Sequence, residues 1–237
     1  MWNNFESKEF MFQDRIATIV YPSVKPNGKM ILKPEYLPAF PTFDIAMLER
    51  GYYLINIQHY SRWAPDEETH IMADFVRFCA KELGADEKCI VEGMSCGGLQ
   101  GARFAQEYPE LCAVLYLDNP VLNMLSMYGC GACKDDMVSA FRTEISNTYG
   151  VDESTILNFR NSPIDYLDKL IDNKIPVLLI YGNGDPVVIF RENGNVLKEY
   201  YEANGGDIKV IVRSMQKHHP HGLDNPTPII EFVEKYV

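Results

Sequence analysis

Short apolar segments alternate with amphipathic segments along most of the chain. The apolar segments are rich in β-branched and aromatic residues, which predicts strands at residues 28–33, 52–59, 89–93, 113–117, 176–181 and 208–213. Apolar positions at helical spacing predict helices at residues 41–50, 66–83, 99–108, 163–173, 190–203 and 226–236. Residues 9–21 surround a polar centre with apolar positions and predict a hairpin. Because strands and helices alternate, we expect a mostly parallel sheet with helices on both faces.

The segment at residues 120–160 is less regular than the rest. Several of its residues have apolar or aromatic side chains suited to roofing a pocket, and the five that we single out are Asn123, Met124, Leu125, Met127 and Tyr128. We expect a small lid insertion above the sheet, although a segment that packs only on itself fits the pattern equally well. The remaining chain shows no linker and no repeat, and 237 residues suit a single domain.

Charge and hydropathy exclude several classes of partner. The chain has 33 acidic against 22 basic residues, a net charge of −11, and no basic block, so a phosphate backbone would repel it. No apolar run reaches the roughly 18 residues of a membrane-spanning helix. The first residues also lack the basic and then apolar pattern of a secretory signal. We therefore expect a cytoplasmic protein that binds neither nucleic acid nor membrane.

Six cysteines are too few for a disulfide scaffold at this length. Four of them lie in or beside apolar segments and are expected to be buried: Cys79, Cys89, Cys96 and Cys112. Cys130 and Cys133 form a single Cys-x-x-Cys motif with no second pair, whereas structural zinc normally takes four ligands. We favour two free thiols at this motif, with a disulfide or a metal site as alternatives.

A Gly-x-Ser-x-Gly motif at residues 93–97 carries the strongest chemical signal. A β-branched strand precedes it and a helix follows it, as in a nucleophile elbow. Such an elbow lifts Ser95 off the sheet on a strained turn, and the helix start presents free N–H groups to an oxyanion. The motif directs its middle residue, rather than Cys96, toward the substrate. The alternative is a glycine-rich turn with an idle serine.

Two later segments supply the partners that a serine hydroxyl needs, because serine is a weak nucleophile without a base and an orienting acid. Asp185 follows the strand at 176–181 on a turn rich in Gly and Asn. His218, His219 and His221 follow the last strand. The order Ser, Asp, His is that of a hydrolase with a nucleophile elbow. A metal site and a surface loop are the alternatives for the histidines, and a structural turn is the alternative for the acid.

The elbow, the acidic turn and the terminal histidines together resemble the α/β-hydrolase superfamily over nearly the whole chain. The likeness is greatest to small esterase-like or prolyl-oligopeptidase-like serine hydrolases. It implies an α/β-hydrolase fold with an eight-stranded sheet, a Ser–His–Asp triad and no cofactor. The run at residues 218–221 resembles a family run whose first histidine is catalytic, although Lys217 replaces the usual glycine. We therefore expect His218 to be the base, then His221, with His219 third.

The resemblance also implies two donors to an oxyanion. One is the backbone N–H of Cys96, the residue after the nucleophile. The other should come from the loop that follows the third strand, where this chain lacks the common His-Gly pattern. Pro34 has no N–H, which leaves Lys33 or Leu32.

The predicted function is hydrolysis of a small-molecule carboxylic ester by Ser95, His218 and Asp185 through an acyl-enzyme, without cofactor or metal. One alternative is a serine peptidase of the prolyl-oligopeptidase type. The other is a catalytically silent hydrolase fold that binds a ligand.

Overall fold

Within residues 1–133 and 136–237, which the computed structural model describes, eight strands pair into one sheet. The strands are β1 (Ser7–Phe12), β2 (Arg15–Val20), β3 (Met30–Leu32), β4 (Tyr53–Ile57), β5 (Cys89–Met94), β6 (Cys112–Asp118), β7 (Val177–Gly182) and β8 (Ile208–Arg213). Their order across the sheet is β1-β2-β4-β3-β5-β6-β7-β8. Strand β2 is antiparallel to β1 and β4, and every other pairing is parallel. The predicted α/β-hydrolase architecture is confirmed.

The chain forms helices on both faces of this sheet and a further helix in the 120–160 segment. They are α1 (Thr42–Leu48), α2 (Asp66–Leu83), α3 (Cys96–Glu107), α4 (Val138–Tyr149), α5 (Leu167–Asp172), α6 (Gly194–Ala203) and α7 (Thr227–Val233). One apolar core holds side chains from α1 and α7, and the other holds side chains from α2, α3, α5 and α6. Among the described residues, no helix combines the length and the apolar character needed to cross a membrane.

The central strands are apolar without alternation because both of their faces are buried. In β7, Leu178 and Ile180 pack into one core, whereas Val177 and Leu179 pack into the other. Parallel strands with both faces covered leave one free edge for chemistry, at the carboxyl ends of the strands. The loops after β5, β7 and β8 all leave the sheet at that edge.

Helix α2 shows how local sequence sets an element's limits. Its first turn carries acidic side chains, which favour the positive end of the helix dipole. It ends at Gly84, whose φ of 61° is the left-handed conformation that closes many helices. The predicted span of residues 66–83 agrees with the observed helix.

The 120–160 segment contains a π-helical turn at Ser126–Cys130, helix α4 and a 3-10 turn at Ile156–Asn158. Its apolar side chains form a third cluster together with Trp63. The Trp63 ring lies edge-on to Phe141 of α4, with centroids 5.7 Å apart, and its indole N–H donates to Glu144 at 2.8 Å. The segment is thus packed against the body of the domain.

Candidate active site

Ser95 lies on the sharp turn between β5 and α3. Its φ of 51° places a non-glycine residue in the left-handed region, which is a strained conformation. Close backbone packing imposes this turn. A Cβ at Gly93 would lie 2.7 Å from the Gly97 carbonyl oxygen, and one at Gly98 would lie 2.4 Å from Pro120 Cβ. The predicted strand–turn–helix context is therefore present, and the turn has no room for larger side chains at these two glycines.

Asp185 lies on the loop that follows β7. Its Oδ1 accepts hydrogen bonds from the backbone N–H groups of Val187 at 2.8 Å and Val188 at 3.1 Å. Its Oδ2 lies 2.7 Å from His218 Nδ1. Because one oxygen is fixed by the loop, the other is held toward the histidine. The carboxylate is 1% exposed.

His218 lies between the serine and the acid. Its Nε2 is 3.0 Å from Ser95 Oγ, and its Nδ1 faces Asp185. The structure therefore brings Ser95, His218 and Asp185 together in one hydrogen-bonded chain, although their sequence positions span 123 residues. Their geometry matches that of a nucleophile, a base and an orienting acid.

Asn119, directly after β6, joins the loops that carry the acid and the base. Its side-chain oxygen accepts a hydrogen bond from the Gly182 N–H at 2.8 Å, at the start of the acid loop. Its amide nitrogen donates to the carbonyls of Lys217 at 3.4 Å and His218 at 3.3 Å. One buried side chain thus fixes the separation of the two loops. Sequence reasoning missed this residue.

A second histidine–carboxylate pair lies beside the first. His221 Nδ1 is 2.8 Å from Asp118 Oδ1, and Asp118 also accepts from Arg213 at 2.6 Å and from the Gly222 N–H at 2.8 Å. Burial lowers the pKa of His221 against the opposing effect of Asp118. Burial and the neighbouring histidines also lower the pKa of His219. His221 and His219 are therefore neutral near pH 7.

The predicted oxyanion donors differ in whether their backbone N–H groups are available. Cys96 is the first residue of α3, so its N–H has no partner within the helix and remains available. Lys33 was the wrong choice for the second donor, because its N–H donates to the Ile55 carbonyl at 3.0 Å. Its ammonium is buried against Asp44 at 2.5 Å. Leu32 is also wrong, since it lies within β3, paired on both sides by β4 and β5.

Cys96 is a poor rival nucleophile. Its thiol is fully buried, and this burial raises the pKa of the Cys96 thiol to about 11. The thiolate is the reactive form of cysteine. The thiol is therefore protonated near pH 7.

A cavity of about 410 Å³ opens beside Ser95. Its wall is mainly apolar and includes Phe40, Met127, Met137, Phe141 and Val187. Met127 is the residue from our predicted roof that lines this cavity. Asn123 from the same set instead donates to the Glu192 carbonyl at 3.1 Å.

Tyr36 and Arg62 line the same cavity and were missed by sequence reasoning. Tyr36 lies on the loop after β3, the loop expected to supply an oxyanion donor, and its phenol contacts the Cys96 thiol. Arg62 is held by two hydrogen bonds of 2.8 Å to Glu144 of α4. The loop's position after β3 was a usable signal for Tyr36, whereas Arg62 had none.

The Cys-x-x-Cys motif does not contribute to the cavity beside Ser95. Cys130 is exposed and Cys133 is half-buried, and neither lines the cavity. The other four cysteines are buried, as predicted.

Comparison with known proteins identifies a family whose sequence pattern matches most of this chain. Residues 58–236 match the model of the prolyl oligopeptidase family. The acylamino-acid-releasing enzyme of Mus musculus is 23% identical over 222 residues, covering 84% of this chain and 29% of that protein.

Two solved structures share the fold. One is an acylaminoacyl peptidase of Pyrococcus horikoshii, with a TM-score of 0.71, 19% identity, and coverage of 90% of this chain and 37% of that one. The other is a puromycin-hydrolyzing peptidase of Mycobacterium tuberculosis, with a TM-score of 0.74, 12% identity, and coverage of 97% and 38%. The chain therefore spans about a third of the length of these relatives.

Proposed function

The chain belongs to the prolyl oligopeptidase family, and from this membership we propose that it is a serine hydrolase that cleaves amide bonds in short peptides or aminoacyl compounds. The observation that carries the proposal is the chain of two hydrogen bonds, 3.0 Å from Ser95 Oγ to His218 Nε2 and 2.7 Å from His218 Nδ1 to Asp185 Oδ2.

In this reaction His218 acts first as a base and then as an acid. Its Nδ1–H donates to Asp185, which leaves the Nε2 lone pair facing the Ser95 hydroxyl. As Ser95 Oγ bonds to the acyl carbon, the hydroxyl proton moves to Nε2, and Asp185 stabilises the imidazolium. The same proton then passes to the leaving amine. Water, activated by His218 in turn, releases the acid from the acyl-enzyme.

We assign one oxyanion donor to the Cys96 N–H, at the positive end of α3. We assign the second to the Tyr36 hydroxyl. The phenol is mostly buried, contacts the Cys96 side chain and lines the cavity beside Ser95. Burial raises the pKa of Tyr36, so the hydroxyl keeps its proton and can donate it in a hydrogen bond.

The remaining question is whether the scissile bond is an ester or an amide, which differ in having an alcohol or an amine as the leaving group. Sequence patterns favoured a carboxylic ester as the main substrate, with a peptidase as the alternative. The family match and the acylamino-acid-releasing relative favour the peptidase alternative. The apolar cavity wall suits a substrate with an apolar or aromatic side chain near the scissile carbonyl.

A matched pair of substrates tests both the chemistry and the bond. The pair carries the same N-acylated phenylalanyl group on p-nitroaniline and on p-nitrophenol, and turnover is measured for wild type and Ser95→Ala. We expect amide cleavage by wild type and a loss of about 10⁴- to 10⁶-fold in Ser95→Ala, with an unchanged melting temperature. A fluorophosphonate probe should label wild type and not the variant.

Other outcomes would contradict parts of the proposal. Ester turnover without amide turnover would restore the esterase interpretation. Absence of labelling and turnover in the folded wild type would indicate a silent binding protein. Tyr36→Phe removes only the phenolic hydroxyl, so near-normal kcat in that variant would move the second donor to the backbone of the same loop.

A further inference from the structure

Three imidazole rings lie together at the mouth of the cavity. His218, His219 and His221 each offer a ring nitrogen, and these three nitrogens lie within 4.8 Å of one another. Their ring centroids are 4.7 to 5.0 Å apart. The proposed hydrolysis uses His218 alone, so the proximity of the other two rings needs a separate explanation.

Two of the three rings already have the support that metal-binding histidines require. A histidine that binds a metal usually donates its other ring N–H to a carboxylate or carbonyl, which fixes its orientation. His218 Nδ1 faces Asp185 at 2.7 Å, and His221 Nδ1 faces Asp118 at 2.8 Å. In both rings Nε2 is therefore the nitrogen left to bind a metal.

The His221 ring provides an independent observation. His221 is only 6% exposed, and its Nε2 has no hydrogen-bond partner among the residues described. A buried polar atom without a partner is costly, at about 1–3 kcal/mol, and usually indicates a ligand or a function. The catalytic chain does not use this atom, because His218 separately contacts Ser95.

We propose that His218, His219 and His221 bind a Zn²⁺ ion, and that this ion reversibly inhibits hydrolysis by taking the lone pair of the base. The metal site itself follows from the three rings, and the inhibition rests on the proposed function. Zinc binding at His218 Nε2 uses the same lone pair that accepts the Ser95 proton. The two events are therefore mutually exclusive.

The chemistry of the donors selects the ion. Three neutral imidazoles suit Zn²⁺ and related transition metals and do not suit Mg²⁺ or Ca²⁺, which prefer oxygen. Tetrahedral Zn²⁺ with bonds of about 2.0–2.1 Å requires the ring nitrogens to approach to about 3.3 Å. His219 is exposed, so its ring is the one that would turn inward, leaving its stack on Phe40, where the ring centroids are 5.7 Å apart. All three histidines also line the cavity beside Ser95.

Metal binding is tested without reference to activity. Ser95→Ala protein, freed of metal with a chelator, is titrated with Zn²⁺ by calorimetry and with Co²⁺ by visible absorption. We expect one site and a tetrahedral Co²⁺ spectrum. His219→Ala and His221→Asn should each weaken binding by roughly tenfold or more. His221→Asn keeps a donor toward Asp118, and melting temperatures confirm that each variant is folded.

Inhibition is tested on the Ser95-containing protein. We expect Zn²⁺, and not Mg²⁺, to suppress turnover of the p-nitrophenyl ester, with full recovery on adding chelator. His219→Ala should require roughly tenfold more Zn²⁺ for half inhibition relative to its own uninhibited rate. The exposed His70 on α2 provides the control, because His70→Ala should leave the inhibition curve unchanged.

The outcomes separate this proposal from the proposed function. Equal Zn²⁺ affinity in the Ser95→Ala protein with and without each histidine substitution would overturn the metal site. Histidine-dependent binding without an effect on turnover would overturn the inhibition. If Zn²⁺ binds through these histidines while no turnover depends on Ser95, the metal site stands and the proposed function fails.

Discussion

Two histidine–carboxylate pairs lie side by side at the carboxyl ends of β6, β7 and β8, and they differ in what surrounds them. His218 and Asp185 are 2.7 Å apart, and His221 and Asp118 are 2.8 Å apart. The two imidazole rings have centroids only 4.9 Å apart. The pairs are thus nearly equal in chemistry, burial and position.

The surroundings of the two pairs favour different roles. The far nitrogen of His218 meets the hydroxyl of Ser95, whereas that of His221 meets no partner among the described residues. Asp118 is also paired with the guanidinium of Arg213, while Asp185 receives two backbone N–H groups and no Lys or Arg within the described chain. A carboxylate already neutralised by a guanidinium has less charge left to stabilise an imidazolium. We therefore expect catalysis from the first pair and loop support from the second.

The largest difference should appear when each histidine is removed. His218→Ala should lower kcat/KM by about 10⁴- to 10⁶-fold with little change in stability. His221→Ala should retain far more activity but lose about 1–3 kcal/mol of unfolding free energy, because it leaves Asp118 and Arg213 in a buried gap. Turnover and urea unfolding of both variants measure this contrast. If His221→Ala is folded but inactive while His218→Ala is active, His221 rather than His218 is the catalytic base.

Substitutions of the two carboxylates should differ in the same way, one acting on activity and the other on stability. Asp185→Asn should lower kcat by about 10⁴-fold, because an amide cannot stabilise the imidazolium. Asp118→Asn should act mainly on the melting temperature, since it breaks the pairing with Arg213. Asn183 lies on the same loop as Asp185 and accepts from the Met215 N–H at 2.7 Å. Asn183→Ala is thus the matched control for loop shape, and losses equal to those of Asp185→Asn would contradict a role for charge.

The lowered pKa of His221 should appear in the pH dependence of stability. Burial lowers the pKa of His221 below its unfolded value of about 6.5. The unfolded chain therefore binds more protons in the window between the two pKa values, and stability rises with pH there. The unfolding free energy should fall as pH drops below about 6.5, and His221→Asn should make this fall less steep. His219, whose pKa is lowered in the same direction, keeps part of the slope. An identical slope in the variant would contradict the account.

The smallest effect is expected far from both pairs. Replacing Cys130 and Cys133 by serine should leave kcat within a few-fold of wild type, because neither residue lines the cavity beside Ser95. KM is free to change, since the neighbouring Met127 and Met137 line the cavity. A tightly bound metal in wild type that is lost together with activity in the double variant would contradict this prediction.

Local signals account for most of what the sequence predicted. The elbow is encoded within five residues, and the strand before it and the helix after it follow from periodicity. The limits of α2 follow from its acidic start and from Gly84. The burial of Lys33 could not be predicted from local sequence, because it depends on contacts with Asp44 in α1 and Glu92 in β5.

The two histidine–carboxylate pairs show the same limit. Nothing in the run at residues 218–221 indicates that Asp118, 103 positions earlier, holds His221. That contact arises only when β6 and β8 deliver their ends to one edge of the sheet. Ranking His218 above His221 was possible from loop length and family resemblance, whereas the role of the second pair required the folded structure.

The hydrogen bonds of Asn119 have a consequence for local unfolding. The acid loop cannot move away from β6 without losing the bond to Gly182, and the base loop cannot move without losing those to Lys217 and His218. Both sets of bonds belong to one buried side chain, directly after β6. The two loops should therefore open as one cooperative unit, and their amide protons should show the same opening free energy in hydrogen exchange.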